Sequence, residues 1–172
     1  YITVEDLIRE VGVDSVRFMM LSRSNDVELD FDFEKVTEKS KDNPVFYVQY
    51  ANARINSIFS LLKINLNDKI KIINEKFSLN SQELEILRKI SEWPKCVEQS
   101  LLKLEPHRIP FYLYDLVTLF HAYWNLGNKN TQYRFVLDGK PASKSKLLLL
   151  KSLSIVIKNG MLLLGVSIPK SM

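Results

Sequence analysis

The sequence predicts an all-α protein, a helical bundle with few or no strands. Apolar residues recur at alternating three- and four-residue steps through most of the chain, and Ser, Thr or Asp precedes several of these runs. At 172 residues, with 46% hydrophobic and 26% charged residues, the chain can bury a sizeable core, and the composition excludes a disordered one.

The elements follow in order. Thr3 with Asp6 reads as an N-cap with an acid in the first turn, and Val4, Leu7, Ile8 and Val11 form one apolar face that Gly12 ends. Asp14 can cap a second short helix carrying Val16, Phe18, Met19, Met20 and Leu21. Residues 25–31 alternate acid with apolar and predict an extended connection. Asp30 or Asp32 can start a long helical run to about Leu62, which Pro44 must kink or break. Beyond that proline, Val48, Ala51, Ile55, Ile58 and Leu62 make a core stripe. Residues 65–80 predict a loop with room for a short helix near Lys69–Ile73. Ser81 caps the next helix, and Pro94 sits in the first turn of another that ends near Leu104. Pro106–Leu126 predicts an aromatic-rich helix stopped by Gly127. Residues 128–142 predict a basic loop, and Ser143 caps a last helix to about Leu164. Leu147–Ile168 is the best membrane candidate, but Lys151 and Lys158 interrupt it, so a buried helix and no membrane partner are expected.

Charge is unevenly divided. Residues 1–99 hold 14 Lys/Arg and 17 Asp/Glu, net −3; residues 100–172 hold 10 and 3, net +7. A basic half invites a polyanion, or is simply a solvated surface. One cysteine, Cys96, excludes a disulfide framework and a thiolate zinc cluster, and points to a reducing, cytoplasmic setting. Residues 1–12 do not read as a cleavable signal, because acids and Arg9 interrupt them.

No catalytic set is legible. His107 and His121 lie 14 residues apart without metal-ligand spacing, and read as structural or surface residues. Gly160 and Gly165 make no phosphate loop. The acidic run 26–38 lacks the mid-loop glycine of a calcium site. No cofactor or metal is expected in this chain.

One constellation does carry chemistry. At about 100° per residue, Tyr47, Tyr50 and Arg54 share a strip that flanks the core stripe. Two aromatic rings with an arginine one turn on is the composition that holds unstacked bases. The same rings could instead pack on a neighbouring helix with their hydroxyls in water. Phe120, Tyr123 and Trp124 form a second aromatic stripe, mostly core, of which Tyr123 is a possible contact.

Several ordered motifs carry a family resemblance. Residues 12–18 (Gly-Val-Asp-Ser-Val-Arg-Phe), 21–23 (Leu-Ser-Arg) and 29–32 (Leu-Asp-Phe-Asp) are followed by Asp42–Arg54 (Asp-Asn-Pro-Val-Phe-Tyr-Val-Gln-Tyr-Ala-Asn-Ala-Arg), Glu105–Arg108, Phe120–Asn125 and Asn159–Gly165, with Met172 last. Together these resemble the C-terminal part of bacterial-type arginyl-tRNA synthetases, with Asp14–Arg17 at the place of the four letters that give the DALR anticodon-binding domain its name. Asn52 stands where that family usually has His.

The resemblance implies a helical anticodon-binding bundle of a class I aminoacyl-tRNA synthetase over 26–172, and over 1–25 the helical end of a catalytic part. The HIGH-like and KMSKS-like signatures would precede this chain. The whole enzyme would join arginine to its tRNA with ATP and Mg, and is usually a cytoplasmic monomer. Tyr47, Tyr50 and Arg54 would line a pocket for splayed anticodon bases, the middle one cytosine, with Tyr123 facing them and Met172 closing the pocket by its terminal carboxylate. Lys129, Arg134, Lys140 and Lys144 would neutralise phosphates, or belong only to a solvated loop and helix end. A helical protein-interaction module without tRNA specificity is the alternative.

Overall fold

A computed structural model describes residues 3–24, 37–38, 40–70 and 77–172. The extended connection expected at 25–31 and the helix start at Asp30 or Asp32 lie outside the described residues. So does most of the short helix considered near Lys69–Ile73.

The described helices are α1 (Val4–Val11), α2 (Val13–Leu21), α3 (Pro44–Leu61), α4 (Ser81–Ser91), α5 (Trp93–Leu102), α6 (Arg108–Lys129) and α7 (Lys144–Leu164). Local chemistry sets their ends. Thr3 and Asp6 form a reciprocal capping box at α1. Asn43 caps α3 by accepting from the Phe46 amide, with Pro44 at the first helical position, so the proline starts a helix rather than kinking one. The α4 cap is Asn80, one residue before the expected Ser81, and Glu83 completes its box. Ser143 caps α7 as expected, and Gly165 ends it at φ +63°. A Cβ on Gly165 would stand 2.7 Å from the movable end of the Arg17 side chain, so it is the left-handed backbone that calls for glycine.

α6 runs through Gly127 to Lys129 instead of stopping at the glycine. Gly127 is buried, and its carbonyl accepts from Arg134 Nε at 3.0 Å, so the chain is held in register past it. The expected basic loop holds a 3-10 turn (Thr131–Tyr133) and a minimal antiparallel hairpin, β1 (Val136–Leu137) with β2 (Lys140–Pro141). Asp138 (φ 50°) and Gly139 (φ 72°) form its turn, the pair that such two-residue hairpins favour.

α6 is the central element, packed by α3, α4, α5 and α7. Leu113, Leu116, Val117 and Phe120 from α6 meet Val48, Ala51 and Ile55 from α3 and Ile157 and Met161 from α7 in one core. α7 is long and apolar enough to cross a membrane, yet it is a core helix, with Leu147, Leu150, Leu153, Ile157 and Leu164 buried. Phe18 of α2 joins the same core. Among the described residues, no three of His, Cys, Asp and Glu cluster to hold a metal.

A polar knot lies inside this apolar body. Glu83 is 2% exposed, accepts the Tyr123 hydroxyl at 2.5 Å and lies 3.5 Å from Lys146 Nζ. Lys146 also donates to the carbonyls of Gln132 and, at 3.0 Å, Arg134. Removing one partner of a buried pair leaves the other charge uncompensated. Glu83→Ala should therefore destabilise the fold by about 3–5 kcal/mol. Urea unfolding of the two proteins measures this, and a loss under about 1 kcal/mol would mean that the knot is replaceable by water.

Candidate nucleic-acid interface

α3 presents two different faces because its register is fixed by Asn43 and by burial of Val48, Ala51 and Ile55, each 0% exposed. With that stripe inward, Tyr47, Tyr50 and Arg54 fall on one flank, half-buried. They line an open recess of about 270 Å³ together with Ser40, Lys41, Phe46, His121 and Asn125. The structure thus brings together the three residues of the sequence strip, and adds His121, which the sequence left as a structural or surface histidine. Nothing local in the sequence could pair it with Arg54, 67 residues away.

The recess is a ring stack with a cation in it. Tyr47 and His121 lie 4.3 Å apart by ring centroids, Tyr50 and His121 5.8 Å, and Phe46 and Tyr50 5.7 Å. Tyr114 covers the outer side of Tyr47 at 5.5 Å. The Arg54 guanidinium sits 4.3 Å from the Tyr50 centroid and 4.9 Å from that of Trp124. Arg54 Nη2 donates to the Tyr50 hydroxyl at 3.1 Å, and Nη1 lies 3.1 Å from His121 Nδ1. Among the described residues no carboxylate pairs with Arg54.

One tautomer of His121 satisfies this geometry. Nε2 lies 3.2 Å from the Tyr47 carbonyl, which can only accept, so Nε2 carries the proton. Guanidinium can only donate, so Nδ1 must offer its lone pair. The imidazole is therefore neutral. Burial lowers its pKa from 6.5 to about 4, and the Arg54 charge pushes the same way against the Tyr47 carbonyl.

The other expected residues lie elsewhere. Tyr123 does not face the strip: it is 2% exposed, packs on Phe135 and Tyr133, and gives its hydroxyl to Glu83. Burial and the Glu83 carboxylate both raise its pKa. The expected role as a facing contact is corrected accordingly, because two residues along α6 turn Tyr123 well away from His121. Met172 is exposed and is not among the residues lining the recess. The segment leading to it is tied down by Asp14, which accepts from the Ser167 amide at 2.9 Å and from the Ser167 hydroxyl. Gln49 donates to the Ser167 carbonyl at 3.0 Å, and Asn52 to the Pro169 carbonyl at 2.9 Å. Gln49 and Asn52 stand on the side of α3 away from Tyr47, at about 100° per residue. Asn52 thus serves as a buried clasp in this chain.

The basic residues separate too. Lys140 and Lys144 line a hollow at the start of α7 with Ser78, Ser143 and Ser145. Lys129 is exposed at the end of α6, and Arg134 is anchored on Gly127.

The model of the DALR anticodon binding domain matches residues 48–172. The chain belongs to that family. It is 55% identical to an arginine–tRNA ligase of Pelagibacter ubique over 172 residues, all of this chain and 30% of that protein. It is 43% identical to the corresponding ligase of Bartonella tribocorum over 178 residues, again all of this chain and 30% of that one. A solved Campylobacter jejuni structure, described as an arginyl-tRNA synthetase, superimposes with TM-score 0.79 at 27% identity, covering 97% of this chain and 35% of that one. This DALR domain therefore spans about 30% of the length of the curated relatives it matches.

A neutral buried imidazole makes the domain acid-sensitive. Between pH 6.5 and about 4 the unfolded chain takes a proton that folded His121 refuses. The stability tied to this group is full above pH 6.5 and falls as pH drops toward 4, by about 3 kcal/mol at most. Unfolding free energies at pH 7 and pH 4.5 should show a smaller acid loss in His121→Phe than in the parent. Equal losses would place the titration on other groups.

Proposed function

We propose that this chain is the anticodon-binding part of an arginine–tRNA ligase and that the Tyr47–Tyr50–Arg54 recess takes a splayed anticodon base. The observation that supports this most directly is a half-buried arginine with no carboxylate partner among the described residues, set among aromatic rings, in a DALR anticodon-binding domain. Base faces stack on such rings, and an uncompensated guanidinium favours an anion or a base edge.

The reading extends to parts beyond this chain. Residues 1–25 would be the helical end of a catalytic part and 26–172 the bundle. ATP and its magnesium would bind in that catalytic part, and the whole ligase would act as a cytoplasmic monomer. Lys129, Lys140 and Lys144 would add phosphate contacts and Met172 a rim contact, outside the base recess. Arg134, anchored on the Gly127 carbonyl, would add a further phosphate contact. A protein-interaction module would need none of this and would show neither tRNA affinity nor the salt dependence that counterion release produces.

Binding of the 172-residue chain to arginine-accepting tRNA, beside the same tRNA with its middle anticodon cytosine replaced, is the test. The replacement should weaken binding at both low and moderate salt. Tyr50→Ala should cost about 1–3 kcal/mol of binding, as for loss of one base–aromatic stack. Arg54→Lys should also weaken binding, because a point charge does not replace a planar fork. Normal affinity in Tyr50→Ala would remove the recess from the interface.

A further inference from the structure

The last stretch of the chain is basic and contains no acidic side chain. Residues 139–172 hold six lysines and no Asp, Glu or Arg. Lys144, Lys151 and Lys158 recur every seven residues, so they share one flank of α7, drifting about 20° per step. Lys146 is engaged inside the buried knot, and Lys151 donates to the Asp68 carbonyl. Half-buried Lys158 makes no hydrogen bond or ion pair among the described residues.

The clasp on the end of the chain brings a second cation to Lys158. Val166 is 5% exposed and Ile168 packs against the core, while the Ser167 and Pro169 carbonyls accept from Gln49 at 3.0 Å and from Asn52 at 2.9 Å. Lys170 follows directly on the last of these anchored carbonyls, so α3 sets where it stands. Its ammonium likewise makes no hydrogen bond or ion pair among the described residues. Burial lowers the Lys158 pKa, the Lys170 charge lowers it further, and no acid among the described residues acts against them. Two like charges are therefore held together in an acid-free stretch, and an anion between them would relieve their repulsion.

We infer that Lys158 and Lys170 form an anion site that takes a backbone phosphate of the bound RNA. This rests on the anticodon-binding reading and adds a contact outside the base recess. The clasp lies on the side of α3 away from Tyr47, and a helix is about 10–12 Å across with its side chains. A loop that places one base in the recess can therefore carry a neighbouring phosphate across α3 to the lysines. Such a contact orients the RNA and reads no sequence. A lysine pair suits the task, since each ammonium is a point charge with three rotatable donors.

The test is binding of the 172-residue chain to an RNA anticodon stem-loop over a range of salt concentrations. The double variant Lys158→Gln/Lys170→Gln should make the slope of log K against log salt shallower by about 0.7–1, the value for one phosphate contact. Its preference for cytosine over uracil at the middle anticodon position should stay as in the parent. Lys103→Gln, at the end of α5, removes a charge elsewhere and should leave the slope nearly unchanged. An unchanged slope in the double variant would overturn the phosphate site and leave the recess reading standing, as would an equal change in Lys103→Gln. Absence of binding by the parent would overturn both. A second readout needs no RNA: in Lys170→Gln the Lys158 ammonium, followed by NMR, should titrate at higher pH. An unmoved titration would overturn the pairing of the two lysines.

Discussion

The rotational setting of α6 is the constraint on which the rest depends. Glu83, Lys146 and Tyr123 tie the start of α4, the middle of α6, the turn after it and the start of α7 into one buried knot. A charge pair so deep tolerates little misalignment, because each lost contact leaves a desolvated group. With Tyr123 locked into the knot, α6 cannot turn about its axis. His121, two residues earlier, is then directed at α3, where it meets Tyr47 and Arg54. The same helix thus serves the core through one side chain and the recess through another.

The recess follows from this and from the register of α3. The partial desolvation of Arg54 is offset by neutral hydrogen-bond partners and ring faces, and among the described residues by no opposite charge. Such an arrangement makes physical sense where a ligand completes it. The aromatic rings around Arg54 contribute cation–π attraction, and the neutral His121 supplies direction without cancelling charge. The acid sensitivity arises first from burial of the His121 ring, and the neighbouring Arg54 charge adds to it.

The opposite side of α3 is occupied by the chain's own last residues. Asp14, Gln49 and Asn52 bind the backbone of 167–169, and Arg17 Nε donates to the Leu164 carbonyl at 3.0 Å. The motif around Asp14–Arg17 thus acts here as a clasp on the end of α7. It holds α2 to the bundle, and with Phe18 in the core it makes α2 continuous with the helices that follow.

The sequence by itself determined the helical class, most helix ends and the Tyr47–Tyr50–Arg54 strip, because caps, prolines and apolar spacing act within a few residues. It also carried the family motifs, whereas the hairpin turned by Asp138 and Gly139 was read only as part of a basic loop. Tertiary structure decided which aromatic residues face the recess. Tyr123 and His121 sit in one aromatic stretch, and the sequence offered Tyr123 as the contact and His121 as structural, yet Tyr123 enters a charged knot and His121 a cation site. Only packing against residues 40 and 67 positions away separates them. The pairing of Asn52 with Pro169, 117 positions on, was equally invisible, because hydrogen-bond partners so remote leave no periodic trace in the chain.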